Sequence, residues 1–504
     1  MSETFDVVVV GFGYAGGVAA IAAHDAGARV LLIEKQADPG GISVTSAGGV
    51  RCTRQPEEAL AYLLATNGGT TPEPVLRALA DGMAEMEAFV GGLAGEVGAT
   101  AAMRPAGGNY PLPGADSFGF VNVDDVPGFE PSRDLPHVRG AAAGARLFKV
   151  VQDNVMRRGI ELRLGVAAER LITEGGTVIG VQAAGAAIAA RGGVVLATGG
   201  FEGSAELQRQ FWSMNPVLSA AVRSNVGDGL RLAQSVGAQL WHMWHYHGSY
   251  GFAHPAADYP FGIRLKRLPD WRSDQCLREN VTMSWILLDR SGRRFMNEYE
   301  PYMQDTGHRA LEGFDFARLG NTRIPALLVV DADGYRRYAL SAPTWHDAEV
   351  AGRYREHSPR NFDDAILRSF ETLDALATAF ELDAGVLKAS IAAWNALVQS
   401  GEEDRFGRPV QGRDPILTPP FRAAPVVPIV SNTQGGPAHD AGQRVLNAFG
   451  APIVGLYEAG EIGSVFGHIY MSGGNLAECF VGGRIAGRHA ASLAKPKAAM
   501  EIAP

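Results

Sequence analysis

Gly11, Gly13 and Gly16, in the run GFGYAG, have the spacing that lets a backbone without Cβ atoms close against a pyrophosphate. Glu34 stands where an acid accepts hydrogen bonds from a ribose, 23 residues beyond Gly11 and 18 beyond Gly16. Tyr14 and Ala15 sit inside the same turn, and Lys35 follows the acid. Four further stretches repeat the theme of small residues at a strand end or helix start. Residues 36–52, QADPGGISVTSAGGVRC, place Gly41, Ser43, Ser46, Ala47, Gly48 and Gly49 behind the acid, with open amides suited to a second contact with the same ligand. GVVLATGG ends in Ala197, Thr198 and Gly199, and NVGDG supplies Asn225, Asp228 and Gly229. PIVGLYEAG leads into Glu461. No second G-x-G-x-x-G with its own acid follows, which predicts one dinucleotide site rather than two.

Other reactive residue types carry less. His242, His245 and His247 alternate with Trp241, Trp244 and Tyr246 but have no carboxylate at ligand spacing, so this stretch reads as a half-buried aromatic strand and no metal is expected. Cys52, Cys276 and Cys479 are far apart, with no C-x-x-C, which excludes a disulfide framework, a zinc site, an iron–sulfur cluster and c-type haem.

The elements that must position these residues follow from periodicity. Residues 7–10 are an apolar run of buried parallel-strand type, 18–26 a small-residue helix, and 29–33 a second strand ending at Glu34. Helices are expected over 56–66, 72–96 and 147–158, and residues 97–140, rich in Gly, Pro and Asp, read as a long excursion rather than core. A strand at 161–164 and a β-meander over 170–184 precede the strand in 193–200. Beyond residue 246 the chain turns aromatic and polar, with helices over 362–380 and 384–400, and the proline-rich 409–420 reads as a boundary. A helix over 476–493 closes the chain. The expected architecture is α/β: a Rossmann-like domain of the glutathione reductase type, residues 1–245 and 415–504, interrupted by an α+β cap over 246–414. The 504 residues suit two cores, and a net charge of −9 gives no reason to expect a nucleic acid partner. No run approaches the length of a transmembrane helix and no charged-then-apolar leader precedes the first strand, so a cytoplasmic protein is expected.

GFGYAG with Glu34, ISVTSAGG, VVLATGG, NVGDG, DRSGRRFMNE (289–298) and GLYEAGEIGSVFGH (455–468) together resemble the flavoproteins related to fumarate reductase and succinate dehydrogenase. The resemblance implies FAD, with Gly11, Gly13, Gly16 and Glu34 on its ADP half, Glu461 at the ribityl chain, and Gly474, Asn475 and Leu476 near the flavin ring. The 42–49 loop lacks the histidine that carries the flavin covalently in some relatives, so non-covalent FAD is expected. Dicarboxylate reductases of this superfamily use arginines and histidines. Here Tyr302, Met471, Ser472 and Asn432 stand at the corresponding places, which suits a dianion poorly.

FMNEYEPY (295–302) and GHIYMSGGN (467–475) are similar instead to the 3-ketosteroid dehydrogenases. That likeness implies removal of two hydrogens from the carbon–carbon bond beside a ring ketone: a tyrosine base takes the α-proton, and the hydride goes to flavin N5. It makes Tyr302 the base, and Tyr470 with the Gly474 amide the enolate-stabilising pair, the two tyrosines being exchangeable. The Tyr-x-Ser arrangement resembles the delta-4-(5α) branch and adds Ser472, so delta-1 and delta-4 chemistry both stay open, as do non-steroidal cyclic ketones. Tyr110, in GGNYPLPG, resembles an auxiliary tyrosine of the delta-1 kind. Expected partners are a small apolar ketone such as a steroid and an external electron acceptor such as a quinone. The alternatives are an enone or unsaturated-acid reductase of the same fold, and a non-catalytic flavin-binding subunit.

Overall fold

A computed structural model describes residues 3–267, 282–299 and 307–495. Two compact units emerge: residues 1–207, 224–246 and 432–504 form one, and 208–223 with 247–431 the other. The expected division differs at three places: residue 246 belongs to the first unit, and residues 208–223 and 415–431 belong to the second. The reason is strand pairing: Leu218–Ser219 runs parallel to Ile429 and Val430 within the long strand Phe421–Thr433.

In the first unit the run VVVV becomes the middle of a parallel sheet. The strand Glu3–Val10 pairs with Val30–Glu34 on one side and Ala186–Leu196 on the other, so Val7, Val8 and Val9 are wholly buried. Glu161–Leu164 and Pro452–Glu458 extend the parallel order outward. Strands covered on both faces need unbroken apolar runs, which is the pattern that made them legible. The expected meander forms as Ala168–Glu174 and Thr177–Ala183, antiparallel to each other and continuing into Ala186–Leu196. Tyr14–Asp25 and the closing helix Gly474–Ala494 pack at very short range. A Cβ at Gly483 would lie 2.7 Å from the Ala15 carbonyl oxygen, and one at Gly487 2.3 Å from that of Ala19. The fold is thus a Rossmann-like α/β domain interrupted in sequence by a second, mixed unit.

Residues 97–140 are more ordered than their composition suggests. Phe118–Asp125 pairs with Val50–Thr53 on one side and Thr100–Pro105 on the other in a three-stranded antiparallel sheet, and its Val121 and Val123 bury one alternating face. The helix expected over 72–96 breaks at Glu85 into Glu73–Ala84 and Met86–Glu96. The one expected over 362–380 divides into Pro359–Ile366 and Leu373–Ala379, each with a hydroxyl N-cap, Ser358 and Thr372. The aromatic strand expected through the histidines is interrupted: His242 has φ 54°, and the strand proper begins at Tyr246.

The second unit is built on an eight-stranded sheet with Phe421–Thr433 near its middle, flanked by Ala326–Val330 and Tyr246–Ala253. Ile286, Leu288, Val329 and Ala423 form its core with Leu387, Ile391 and Trp394 of helix Ala384–Ser400.

Candidate active site

Because five neighbouring strands run parallel, their carboxyl ends open on one edge of the sheet, and a cleft lies there. Its wall brings together Gly11, Gly13, Tyr14, Ala15, Glu34, Lys35, Gly41, Ser43, Ala197, Thr198, Gly199, Asn225, Asp228 and Glu461. Gly11 has φ +101°, and a Cβ there would sit 2.4 Å from the Ala197 carbonyl oxygen. A Cβ at Gly16 would meet the Gly11 carbonyl oxygen at 1.8 Å, so this glycine lets the helix start directly beneath the turn. Glu34 accepts the Phe12 N–H on one oxygen and the Gln36 N–H on the other, both at 2.8 Å. Each oxygen thereby keeps lone-pair capacity for a ribose hydroxyl. Ser43 Oγ accepts the Tyr14 N–H at 3.1 Å and so marks the helix N-terminus. Lys35 is tied to Asp228 and the Ser224 carbonyl, which fixes the base of the cleft.

The remaining cofactor candidates support the wall from behind. Ser46, Ala47, Gly48 and Gly49 are not among the described residues that line the cleft; Tyr14, which does line it, bonds the Gly144 carbonyl at 2.8 Å and Ser46 Oγ at 3.2 Å through its Oη. A Cβ at Gly229 would strike Thr198 Oγ1 at 2.1 Å. Thr198 Oγ1 itself is buried and has no hydrogen-bond partner among the described residues, an orphan hydroxyl at the cleft wall. Asn225 Nδ2 donates to Glu202 at 2.7 Å, and Glu461 accepts the Thr433 N–H at 2.8 Å. Burial raises both the Glu202 and the Glu461 carboxyls, Glu202 further because the Glu461 charge is adjacent.

A family profile described as "FAD binding domain" matches residues 6–476. The chain belongs to that family. Among curated relatives it is 29% identical to the fumarate reductase (cytochrome) of Shewanella frigidimarina over 505 residues, covering 98% of this chain and 78% of that one. It is 28% identical to the 3-oxosteroid 1-dehydrogenase of Mycobacterium tuberculosis over 589 residues, covering 98% and 99%. Among solved structures it is similar to the 3-ketosteroid delta1-dehydrogenase of Sterolibacterium denitrificans in complex with 1,4-androstadiene-3,17-dione, with a TM-score of 0.79, 24% identity, and 97% and 100% covered. The protein is an FAD-dependent oxidoreductase of this family. The cleft fits the cofactor: it offers bare backbone for a pyrophosphate, a ribose acid and an orphan hydroxyl on one continuous wall.

Sequence reasoning missed the loop at Val166, Ala167 and Ala168, which lines the same cleft. It follows the parallel strand beside that of Glu34, and the Val166 N–H donates to the Glu34 carbonyl at 2.9 Å. The signal was available, since ligands gather at the carboxyl ends of parallel strands. Phe12, Gln36 and Leu232 also line it.

Tyr470, Ser472, Gly474, Asn475 and Leu476 lie on or just before the first turn of the closing helix. Tyr470 is 3% exposed and packs edge-on against Phe466, with centroids 5.2 Å apart. Its Oη accepts the Asn475 N–H at 3.4 Å. The Gly474 N–H donates to the Met471 carbonyl at 2.8 Å, so this amide is engaged within its own turn. Asn475 joins Gln434, Ser464 and Glu478 in a buried network: Asn475 Nδ2 donates to Glu478 at 3.0 Å and to Gln434 at 3.2 Å. Burial pushes the Glu478 carboxyl up to about 8. Tyr110, on the loop after Thr100–Pro105, donates its backbone N–H to Tyr62 Oη at 3.2 Å. Tyr302 lies outside the described residues.

Proposed function

We propose that the protein desaturates the carbon–carbon bond beside a ring ketone of a small apolar substrate, a 3-ketosteroid or a related cyclic ketone. The observation that carries this reading is the buried phenol of Tyr470. It enters the closing helix through Met471 and Ser472, where a dicarboxylate site would need a guanidinium. FAD, held by Gly11, Gly13, Gly16, Glu34 and Glu461, supplies the hydride acceptor when bound. One tyrosine of the pair Tyr302 and Tyr470 takes the α-proton, and the other donates a hydrogen bond to the ketone oxygen as charge develops there. Because the Gly474 N–H already serves Met471, a ketone oxygen would have to share it, so most of the polarisation falls on the second phenol. Ser472 lies two residues from Tyr470 and assists from the same turn. The electrons then leave to an external acceptor of quinone type.

The test is anaerobic bleaching of the bound flavin by a panel of 3-ketosteroids and by succinate. Ketosteroids should bleach it, and bleaching by succinate alone rejects the reading. With a dye acceptor, NMR of the product locates the new double bond. Tyr302→Phe and Tyr470→Phe should each leave yellow, folded protein and lower turnover by about a hundredfold or more.

A further inference from the structure

The short segment from Tyr470 to Gly474 is held by side chains from a distant part of the same unit. Arg51, on the strand Val50–Thr53, is 1% exposed, and its Nε donates to the Ser472 carbonyl at 2.8 Å. Its Nη1 donates to the carbonyls of Ala106 and Gly107 at 2.9 and 3.1 Å. The guanidinium lies over the Phe120 ring at 4.0 Å, and that ring also backs Gly473: a Cβ at Gly473 would come within 2.5 Å of it. Asn109 Oδ1, two residues beyond Gly107, accepts the Ser472 N–H at 2.7 Å. Both polar backbone groups of Ser472 are therefore pinned from outside the segment, and both pins run through the loop at 106–109. The turn needs this support. Gly473 has φ +74°, and the helix that starts there has no side-chain cap at its N-terminus.

We propose that Arg51 and Asn109 are positioning residues that set the Tyr470 phenol and the Gly474 turn in their reactive placement. The proposal rests on the reading of Tyr470 as an acid–base group. A charged guanidinium that bridges two loops through three carbonyls holds their spacing more stiffly than neutral bonds would, since charge-assisted bonds are shorter and stronger. The geometry is planar and forked, so lysine does not reproduce it. Releasing either pin lets Ser472 rotate, and the residues on both sides of it move with it.

The experiment uses the FAD-loaded protein and compares Asn109→Ala, Asn109→Asp and Arg51→Lys with Tyr470→Phe. Asn109→Ala and Arg51→Lys should lower kcat at least tenfold with KM changed less, shift the pH limb of kcat, and alter the visible flavin spectrum. Asn109→Asp, which keeps the acceptor oxygen, should restore most of kcat. A purely structural role would lower the melting temperature and leave kcat per folded flavin, the pH limb and the spectrum as in the wild type, and that result overturns the proposal. If Arg51→Lys does not fold, the Asn109 pair decides alone. Wild-type turnover in Tyr470→Phe would reject the reading of the site instead, and the flavin spectra of the Asn109 and Arg51 variants then still decide whether the segment is held.

Discussion

Gly16, beneath the glycine turn of the cleft, makes a strict steric demand. Any Cβ there would lie 1.8 Å from the Gly11 carbonyl oxygen, and no rotamer relieves a backbone clash of that size. Gly16→Ala should therefore yield protein without FAD, read as the absence of flavin absorbance after gel filtration with excess cofactor. Gly91, where an added Cβ would meet nothing within 4 Å, offers the matched control: Gly91→Ala should load normally. At the same scale, Tyr14 is a structural phenol. It is buried, its Oη bonds the Gly144 carbonyl and Ser46, and burial raises its pKa, so it holds the 42–49 loop in place rather than exchanging protons.

The closing helix Gly474–Ala494 links the cofactor cleft to the buried acids. Its first turns carry Glu478, whose carboxyl accepts the Val465 N–H, the Ser464 hydroxyl and the Asn475 amide. Glu458, also fully buried, is raised by burial and by the Glu478 charge, and His439 lies 3.2 Å from it. A carboxyl whose folded pKa exceeds its unfolded value binds more protons when folded, so its contribution to stability is lost as pH rises through the folded value. His242, His308 and His439 are lowered by burial, and their contribution is lost only as pH falls below about 6.5. Between pH 6.5 and 8 the acids therefore dominate. The melting temperature should fall across that window, and Glu478→Gln should flatten the decline. The change is at most about 1.4 kcal/mol per pH unit for each group. A wild-type slope in the variant would show that Glu478 does not titrate there.

At the scale of the whole molecule, each unit has its own apolar core, one around Val8, Leu31, Val194 and Leu456 and the other around Leu288, Val329, Leu387 and Trp394. Among the described residues, those that line the FAD cleft all belong to the first unit. Cofactor removal should lower the stability of that unit selectively. Free FAD at a hundredfold over its Kd adds about 2.7 kcal/mol to the folded state, so calorimetry of stripped protein should show one transition moved down and restored by FAD. No described helix is long and apolar enough to cross a membrane.

The amino-acid sequence by itself determined the cofactor half of this protein. Val7–Val10, the glycine turn and Glu34 are local: backbone sterics and burial on both sheet faces dictate them within a few dozen residues. Only the tertiary structure decided what meets across long separations. Arg51 and the Ser472 carbonyl are 421 residues apart, Tyr14 and Gly144 130, and no periodicity in either segment encodes the pairing. The paired carboxyls of Glu202 and Glu461, and Val166–Ala168 beside Glu34, belong to the same class. Residues 97–140 misled for a related reason. Glycine and proline there shape the turns of a small sheet whose partner strand, Val50–Thr53, comes much earlier in the chain, so composition reported the turns and hid the pairing.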